Sequence, residues 1–308
     1  MHDHDHPRVP HHHATSHAPA SFGTAFAVGI ALNTAFVLIE AGFGIASNSV
    51  ALVADAGHNL SDVLGLVVAW IAAVLSKRPP SSRYTYGLRS SSILAALFNA
   101  TFVLVAAGAI GWQSVLRLFH PEPVAGLTVT AVAAVGIFIN GFTAWLFASG
   151  RKGDLNIRGA YLHMAADAGV SAGVVAAGIA ILFTGWLWLD PAISLVVVAV
   201  IIWGSWGLLR DSVAMSMAAV PPEIEPSAVS AYLLKQTGVS EVHDLHIWPM
   251  SPTEVAMTAH LVMPSGHPGD RVILGMADEL RHHYGIGHVA LQVETDGKAC
   301  PLAPSHVI

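Results

Sequence analysis

A bundle of six membrane-spanning helices followed by a small α+β unit of αββαβ, ferredoxin-like pattern is the architecture that the sequence predicts. Three observations carry it. Only 11% of the 308 residues are charged and 54% are hydrophobic, against about 25% charged in an ordinary soluble domain. Six apolar stretches of spanning length follow one another between residues 21 and 210. Beyond residue 210 the long runs give way to short helical and alternating patterns. This composition argues against an ordinary soluble enzyme and excludes disorder over most of the length. With 14 Lys and Arg against 20 Asp and Glu, the formal charge is −6, so no nucleic-acid partner is expected. The single cysteine, Cys300, excludes a disulfide framework and a cysteine-only zinc cage. Histidines number 18, more than Lys and Arg together. In a membrane protein that excess points to metal.

Each element can be justified in order. Residues 1–20 hold seven histidines, interleaved with Asp3, Asp5 and several prolines. Such a tail cannot form a core and is expected to be disordered. It lacks the apolar segment of a signal peptide, and its composition suits weak zinc binding. A spanning helix needs about 20 mostly apolar residues. Phe22 to Phe43 qualifies with only Glu40 charged, and Ser49 to Ser76 with two aspartates. Ser90 to Leu116 and Pro123 to Gly150 carry no charge; Gly159 to Leu189 carries only Asp167, and Pro191 to Leu209 none. Pro79-Pro80, Pro121-Glu-Pro123, Arg151-Lys-Gly153 and Asp190-Pro191 punctuate them. Of the ten Lys and Arg before residue 211, only Arg117 falls on one side of the predicted bundle. The other nine place both termini in the cytoplasm.

Residues 211–308 form the soluble unit. Val229 and Leu233 at i, i+4 suggest a short helix, and Val242 to Trp248 and Val255 to Met263 read as strands. Ile273, Ala277, Leu280 and Tyr284 give helical spacing, and His288 to Glu294 alternates. The predicted division is therefore a tail at 1–20, a membrane domain at 21–210 and a cytoplasmic domain at 211–308.

The charges kept inside the spans are the informative ones, because each costs at least about 2.5–3.5 kcal/mol at the bilayer centre. The second span contains His58-Asn-Leu-Ser-Asp62, and the fifth contains His163-Met-Ala-Ala-Asp167. An i, i+4 spacing sets both side chains of each pair on one helix face. Should the two faces meet, two imidazoles and two carboxylates form a compact N/O cluster suited to tetrahedral zinc, or to cobalt or cadmium. Two aspartates also neutralise one divalent ion. The bland alternative is a pair of hydrogen-bonded units tying helices together, and the repetition on separate spans weighs against it. Asp55 is open to three roles: proton relay, support for the ligands, or a solvated helix end. Glu40, Asn33, Asn99 and Asn140 are expected to make interhelical hydrogen bonds. Gly169 and Gly173 are expected to let a neighbouring helix approach closely. Imidazole and carboxylate bind metal deprotonated, so protons and metal compete for the site, and proton antiport follows as an expectation.

In the soluble unit, His243, His246, His260, His288 and Glu294 fall on predicted strands. Alternation places His288, Gln292 and Glu294 on one polar face. His243 and His246 differ in parity, so without a bend they point to opposite faces. Donors on neighbouring strands could bind a second metal. His267, His282 and His283 read as exposed.

Six spans, the paired His-x-x-x-Asp, the loop Arg83-Tyr-Thr-Tyr-Gly87 and the run His243-Asp-Leu-His-Ile-Trp248 together resemble the cation diffusion facilitators, closest to their bacterial zinc/cadmium/cobalt efflux branch. The resemblance covers about residues 22–296. It implies a proton-coupled exporter of Zn2+, and also of Cd2+ or Co2+, that works as a homodimer. No organic cofactor is expected, and the absence of targeting signals fits a bacterial inner membrane. It assigns His58, Asp62, His163 and Asp167 to transport, and His243, His260 and Glu294 to metal binding at the dimer interface. Residues 76–90 contain neither Asp nor His, so the loop site of some members is expected to be absent. Two other readings remain open on the residues themselves: a membrane-bound metal sensor, and an intramembrane metalloenzyme. The second lacks a His-Glu-x-x-His helix.

Overall fold

Runs of apolar residues without internal breakers leave the backbone one way to satisfy its polar groups in lipid, the helix. Among the described residues, six long helices result: α1 (Thr24–Ala46), α2 (Val50–Ser76), α3 (Ser91–Phe119), α4 (Gly126–Ala148), α5 (Leu155–Thr184) and α6 (Leu189–Ser216). The computed structural model describes residues 24–148, 155–296, 300 and 302, without the side chains of 24–30, 62, 65–66, 69–70, 72–73, 147, 155–160 and 162–163. The His-rich tail at residues 1–20 lies outside them. Among the described residues, Ser91–Phe119, Gly126–Leu146, Met164–Thr184 and Leu189–Ser216 are each long and apolar enough to cross a membrane, and Ala31–Ala46 is a shorter apolar helix. The apolar run of the last span stops at Leu209, yet α6 continues to Ser216. A helix needs its backbone ladder rather than apolarity, and Ser212 is buried on this extension.

The helices pack α4 along α5 and α3 along α6, with α2 touching α1, α3, α5 and α6. Close approach of α4 and α5 rests on Gly178, where a Cβ would strike Thr130 and the Gly126 carbonyl. Among the described residues, nothing lies within 4 Å of a Cβ built at Gly169 or Gly173, so the expected small-residue contact is not seen there. One apolar cluster gathers Phe36, Leu52, Val129 and Val174, and a second gathers Ala54, Val103, Val197 and Ile201. The outside is apolar as well: Phe183 is 86% and Trp203 85% exposed. An outer apolar surface of this extent is what a bilayer covers.

The start of α2 is firmly held. Ser49 caps it, and Asp190 of α6 accepts from the Ser49 hydroxyl and, at 2.8 Å, from the Val50 amide. Asn48 turns the chain at φ 56°. Arg117 donates to the Asn48 carbonyl and pairs with Glu122 at 3.3 Å. It thus ties the α1–α2 turn to the α3–α4 connection.

The C-terminal unit follows as α7 (Pro226–Leu234), β1 (Glu241–Ser251), β2 (Glu254–Val262), α8 (Asp270–Tyr284) and β3 (Ile286–Glu294). The order is the predicted αββαβ. Strands β1 and β2 pair antiparallel, while β3 lies parallel to β2 on its other side. A parallel neighbour requires a crossover, which α8 supplies, ending at Gly285 with φ 71°. Leu233, Met257, Leu261, Leu280 and Ile286 are fully buried between sheet and helices. The other sheet face carries the polar residues.

Contacts among the described residues join this unit to the α2–α3 connection. Arg89 Nη1 lies 2.8 Å from Glu254 Oε1, Ser90 Oγ donates to the Met250 carbonyl at 3.1 Å, and Tyr86 meets the His288 ring edge-on.

Candidate metal centres

The first centre lies on the seam of α2 and α5. Both His-x-x-x-Asp runs fall within unbroken helix. His58 Nε2 sits 3.2 Å from Asp167 Oδ1, joining one member of each run across the seam. Asp167 is buried and the His58 side chain 18% exposed. One turn away, Asp55 of α2 accepts a hydrogen bond at 3.0 Å from Ser171 of α5. The helices therefore run past each other with positions 55 and 58 facing 171 and 167. The side chains of Asp62 and His163 lie outside the described residues.

Asp55 is completely buried, which removes its reading as a solvated helix end. Next to it stands Glu40 of α1. Glu40 is fully buried and accepts from Asn59 Nδ2 at 3.3 Å. Glu40 thus makes the expected interhelical bond, and Asn33 does so toward Met164 Sδ at 3.6 Å. Asn140 does not: it is fully buried, and neither amide atom bonds to another described residue. Sequence reasoning missed Ser171, because no spacing rule ties a serine on one helix to an aspartate on another.

The second centre forms on the polar face of the sheet. In β1 the residues His243 and His246 pair with His260 and Thr258. Three steps on β1 match two on β2, so one residue is extra, and Asp244 takes φ 48° there. This bulge supplies the bend that plain alternation lacks. It turns His246 to the same face as His243, which corrects the opposite-face expectation. Glu294 lies at the end of β3, paired with Val262 beside His260.

The three residues expected to bind metal in this unit are brought together. His260 Nδ1 lies 3.0 Å from Glu294 Oε1, and His243 Nε2 3.3 Å from Glu294 Oε2. Asp244 stands behind them, 3.3 Å from His260 Nε2 and 2.8 Å from His246 Nε2. A carboxylate on the far ring nitrogen fixes the tautomer of a metal-binding histidine, and here it leaves Nδ1 of His260 facing Glu294. Burial pushes the Glu294 carboxyl up, but hydrogen bonds from Cys300 and Gln292 and the neighbouring His243 and His260 outweigh it. The group is held below its ordinary value. His267, His282, His283 and His288 are exposed and outside the cluster.

Residues 26–215 match the cation efflux transmembrane domain, and residues 221–296 match the cytoplasmic domain of cation efflux proteins. The chain belongs to the cation efflux family. Within it, the cation diffusion facilitators of the zinc/cadmium/cobalt branch are its relatives. A cadmium, cobalt and zinc/H(+)-K(+) antiporter of Bacillus subtilis is 34% identical over 268 residues, covering 85% of this chain and 86% of its own. The zinc transporter ZitB of Escherichia coli is 33% identical, covering 92% and 91%. The metal cation efflux system protein CzcD of Cupriavidus metallidurans is 32% identical, covering 92% and 89%. This cation efflux protein is a transporter and not an enzyme, which sets the metalloenzyme alternative aside.

Proposed function

We propose that this cation efflux protein exports Zn2+ from the cytoplasm in exchange for protons, and that it also accepts Cd2+ or Co2+. His58, Asp62, His163 and Asp167 are the transport ligands. The observation that supports this most directly is the 3.2 Å approach of His58 to Asp167 between α2 and α5. One imidazole and one carboxylate from separate His-x-x-x-Asp runs already share a site, and the helix register favours the second pair joining them.

Two carboxylates and two imidazoles leave a loaded divalent ion formally neutral, which lowers the cost of holding it in an apolar interior. The same four groups take up protons when the metal leaves. Exposure to the proton-rich side then expels the ion, and deprotonation toward the cytoplasm restores the ligands. Six spans with both termini cytoplasmic, a membrane domain at 21–210 and a metal-binding dimerisation domain at 211–308 complete the proposal. His243, His260 and Glu294 hold a second ion there, the protein works as a homodimer, and the membrane is the bacterial inner membrane.

The test is reconstitution in liposomes holding a zinc-sensitive dye, with an imposed pH gradient. Zinc flux that follows the gradient and vanishes in Asp167→Ala is expected. Flux undiminished in that variant overturns the assignment, and zinc binding without flux turns the reading to a membrane-bound sensor.

A further inference from the structure

We propose that Cys300 is the fourth ligand of the cytoplasmic centre, closing a His2-Glu-Cys cation site within a single protomer. The inference rests on the proposed metal role of His243, His260 and Glu294 and adds a sulfur to it. Cys300 lies six residues beyond Glu294, outside the 221–296 segment matched to the family's cytoplasmic domain. Its Sγ is 3.6 Å from His260 Nδ1. One ligand atom from each of His243, His260, Glu294 and Cys300 falls within 4.8 Å of every other. Four donors so close around one point suit a tetrahedral ion, whose bonds to nitrogen and sulfur are about 2.0–2.3 Å long.

A second observation points to a ligand independently of the cysteine. His243 is only 8% exposed, and among the described residues neither of its ring nitrogens makes a hydrogen bond. Its Nε2 is nevertheless aimed into the cluster, 3.3 Å from Glu294 Oε2 but outside hydrogen-bond geometry. Glu294 Oε2 is likewise buried without a hydrogen bond. Polar atoms buried in this way are costly, and a metal ion would satisfy both. His260 is already oriented by Asp244.

The chemistry differs from that of the membrane site. Binding replaces the proton of the Cys300 thiol by the metal, releasing H+, and leaves a thiolate and a carboxylate to balance a divalent charge. A soft sulfur donor selects for Zn2+ and Cd2+ and strengthens retention. All four donors come from one chain.

The chain has one cysteine and the transport residues contain no sulfur, so any metal–thiolate signal comes from Cys300. The full-length protein carrying Asp167→Ala, to silence the membrane site, is stripped of metal and titrated with Co2+. A near-ultraviolet sulfur-to-cobalt charge-transfer band is expected. Cys300→Ser should abolish it, and His243→Ala with His260→Ala should abolish it or raise the cobalt midpoint at least tenfold. In parallel, saturating Zn2+ should slow iodoacetamide labelling of Cys300 at least tenfold. Bound cobalt without the band overturns the cysteine ligand while leaving the His243–His260–Glu294 site standing. No cobalt bound overturns both. A band unchanged by the double histidine substitution puts the thiolate on another metal and also overturns the proposal.

Discussion

The two candidate centres share imidazole and carboxylate donors but build them on different frames. On the α2–α5 seam, each helix presents its residues at one-turn intervals, and two antiparallel helices multiply the pair. On the sheet, His243, His260, Glu294 and Cys300 come from β1, β2, β3 and the segment after it. The helical centre has oxygen and nitrogen donors, and His58 keeps some exposure. The sheet centre adds sulfur, buries His243 and His260, and braces His260 with Asp244. Transport needs an ion that can leave, whereas a resident ion needs a closed, soft and braced shell. On the proposed ligand sets, a difference in ligand chemistry separates cargo from occupant.

The sharpest break in that comparison is expected from Asp167→Asn, which keeps the shape of a buried side chain but removes its charge. Zinc flux in proteoliposomes should fall to that of protein-free vesicles, while cobalt binding at the sheet centre stays unchanged. A parallel loss at the sheet centre would show the two sites to be one coupled system.

Next in size is Asp55→Asn. Asp55 is buried one turn from His58 and accepts from Ser171, so support of the proposed ligands is the role this substitution tests. Loss of such support costs about 10–100-fold in metal affinity or activity. Flux should drop within that range, and Ser171→Ala, which removes only the donor, should cost less. Equal loss in Asp55→Asn and Asp167→Asn would make Asp55 a ligand.

How far these centres can be read from residue order follows from their geometry. His58, Asp62, His163 and Asp167 stand out because helix spacing is regular. Ser171 and the neighbourhood of Glu40 do not, since which helix faces which is a tertiary property. The αββαβ order was also legible from alternation and from the spacing of Ile273, Leu280 and Tyr284. Alternation misdirected His246, because one extra residue at Asp244 reverses parity and a bulge has no compulsory sequence mark. Close helix packing fell to Gly178 rather than to the more conspicuous Gly169 and Gly173. Cys300 looked solitary in the sequence; only the fold sets it against His260.

Asp244→Asn sharpens the comparison from the other side. Position 244 has φ 48°, which asparagine tolerates as aspartate does, so the bulge should persist. What is lost is the charge behind His260 and His246. Affinity of the sheet centre for cobalt should weaken by about tenfold, with zinc flux changed much less. Flux falling as far as affinity would mean that the resident ion controls transport.

The smallest effect is expected where the two regions meet. Arg89 and Glu254 form an ion pair with both side chains about 40% exposed, a setting in which such pairs contribute about 0.2–1 kcal/mol. The Ser90 hydroxyl on the Met250 carbonyl and Tyr86 against His288 remain when Arg89 is removed. Arg89→Ala should therefore shift thermal unfolding only slightly, and 0.5 M salt should erase the difference by screening the pair in the parent protein. If the contact instead carries a signal from the sheet to α3, the same substitution leaves stability alone yet removes any dependence of flux on cytoplasmic metal. Measuring flux with and without Cys300→Ser, in the Arg89→Ala background, separates the two. Additive effects mark a simple tether, and a Cys300→Ser effect that disappears once Arg89 is gone marks a transmission point.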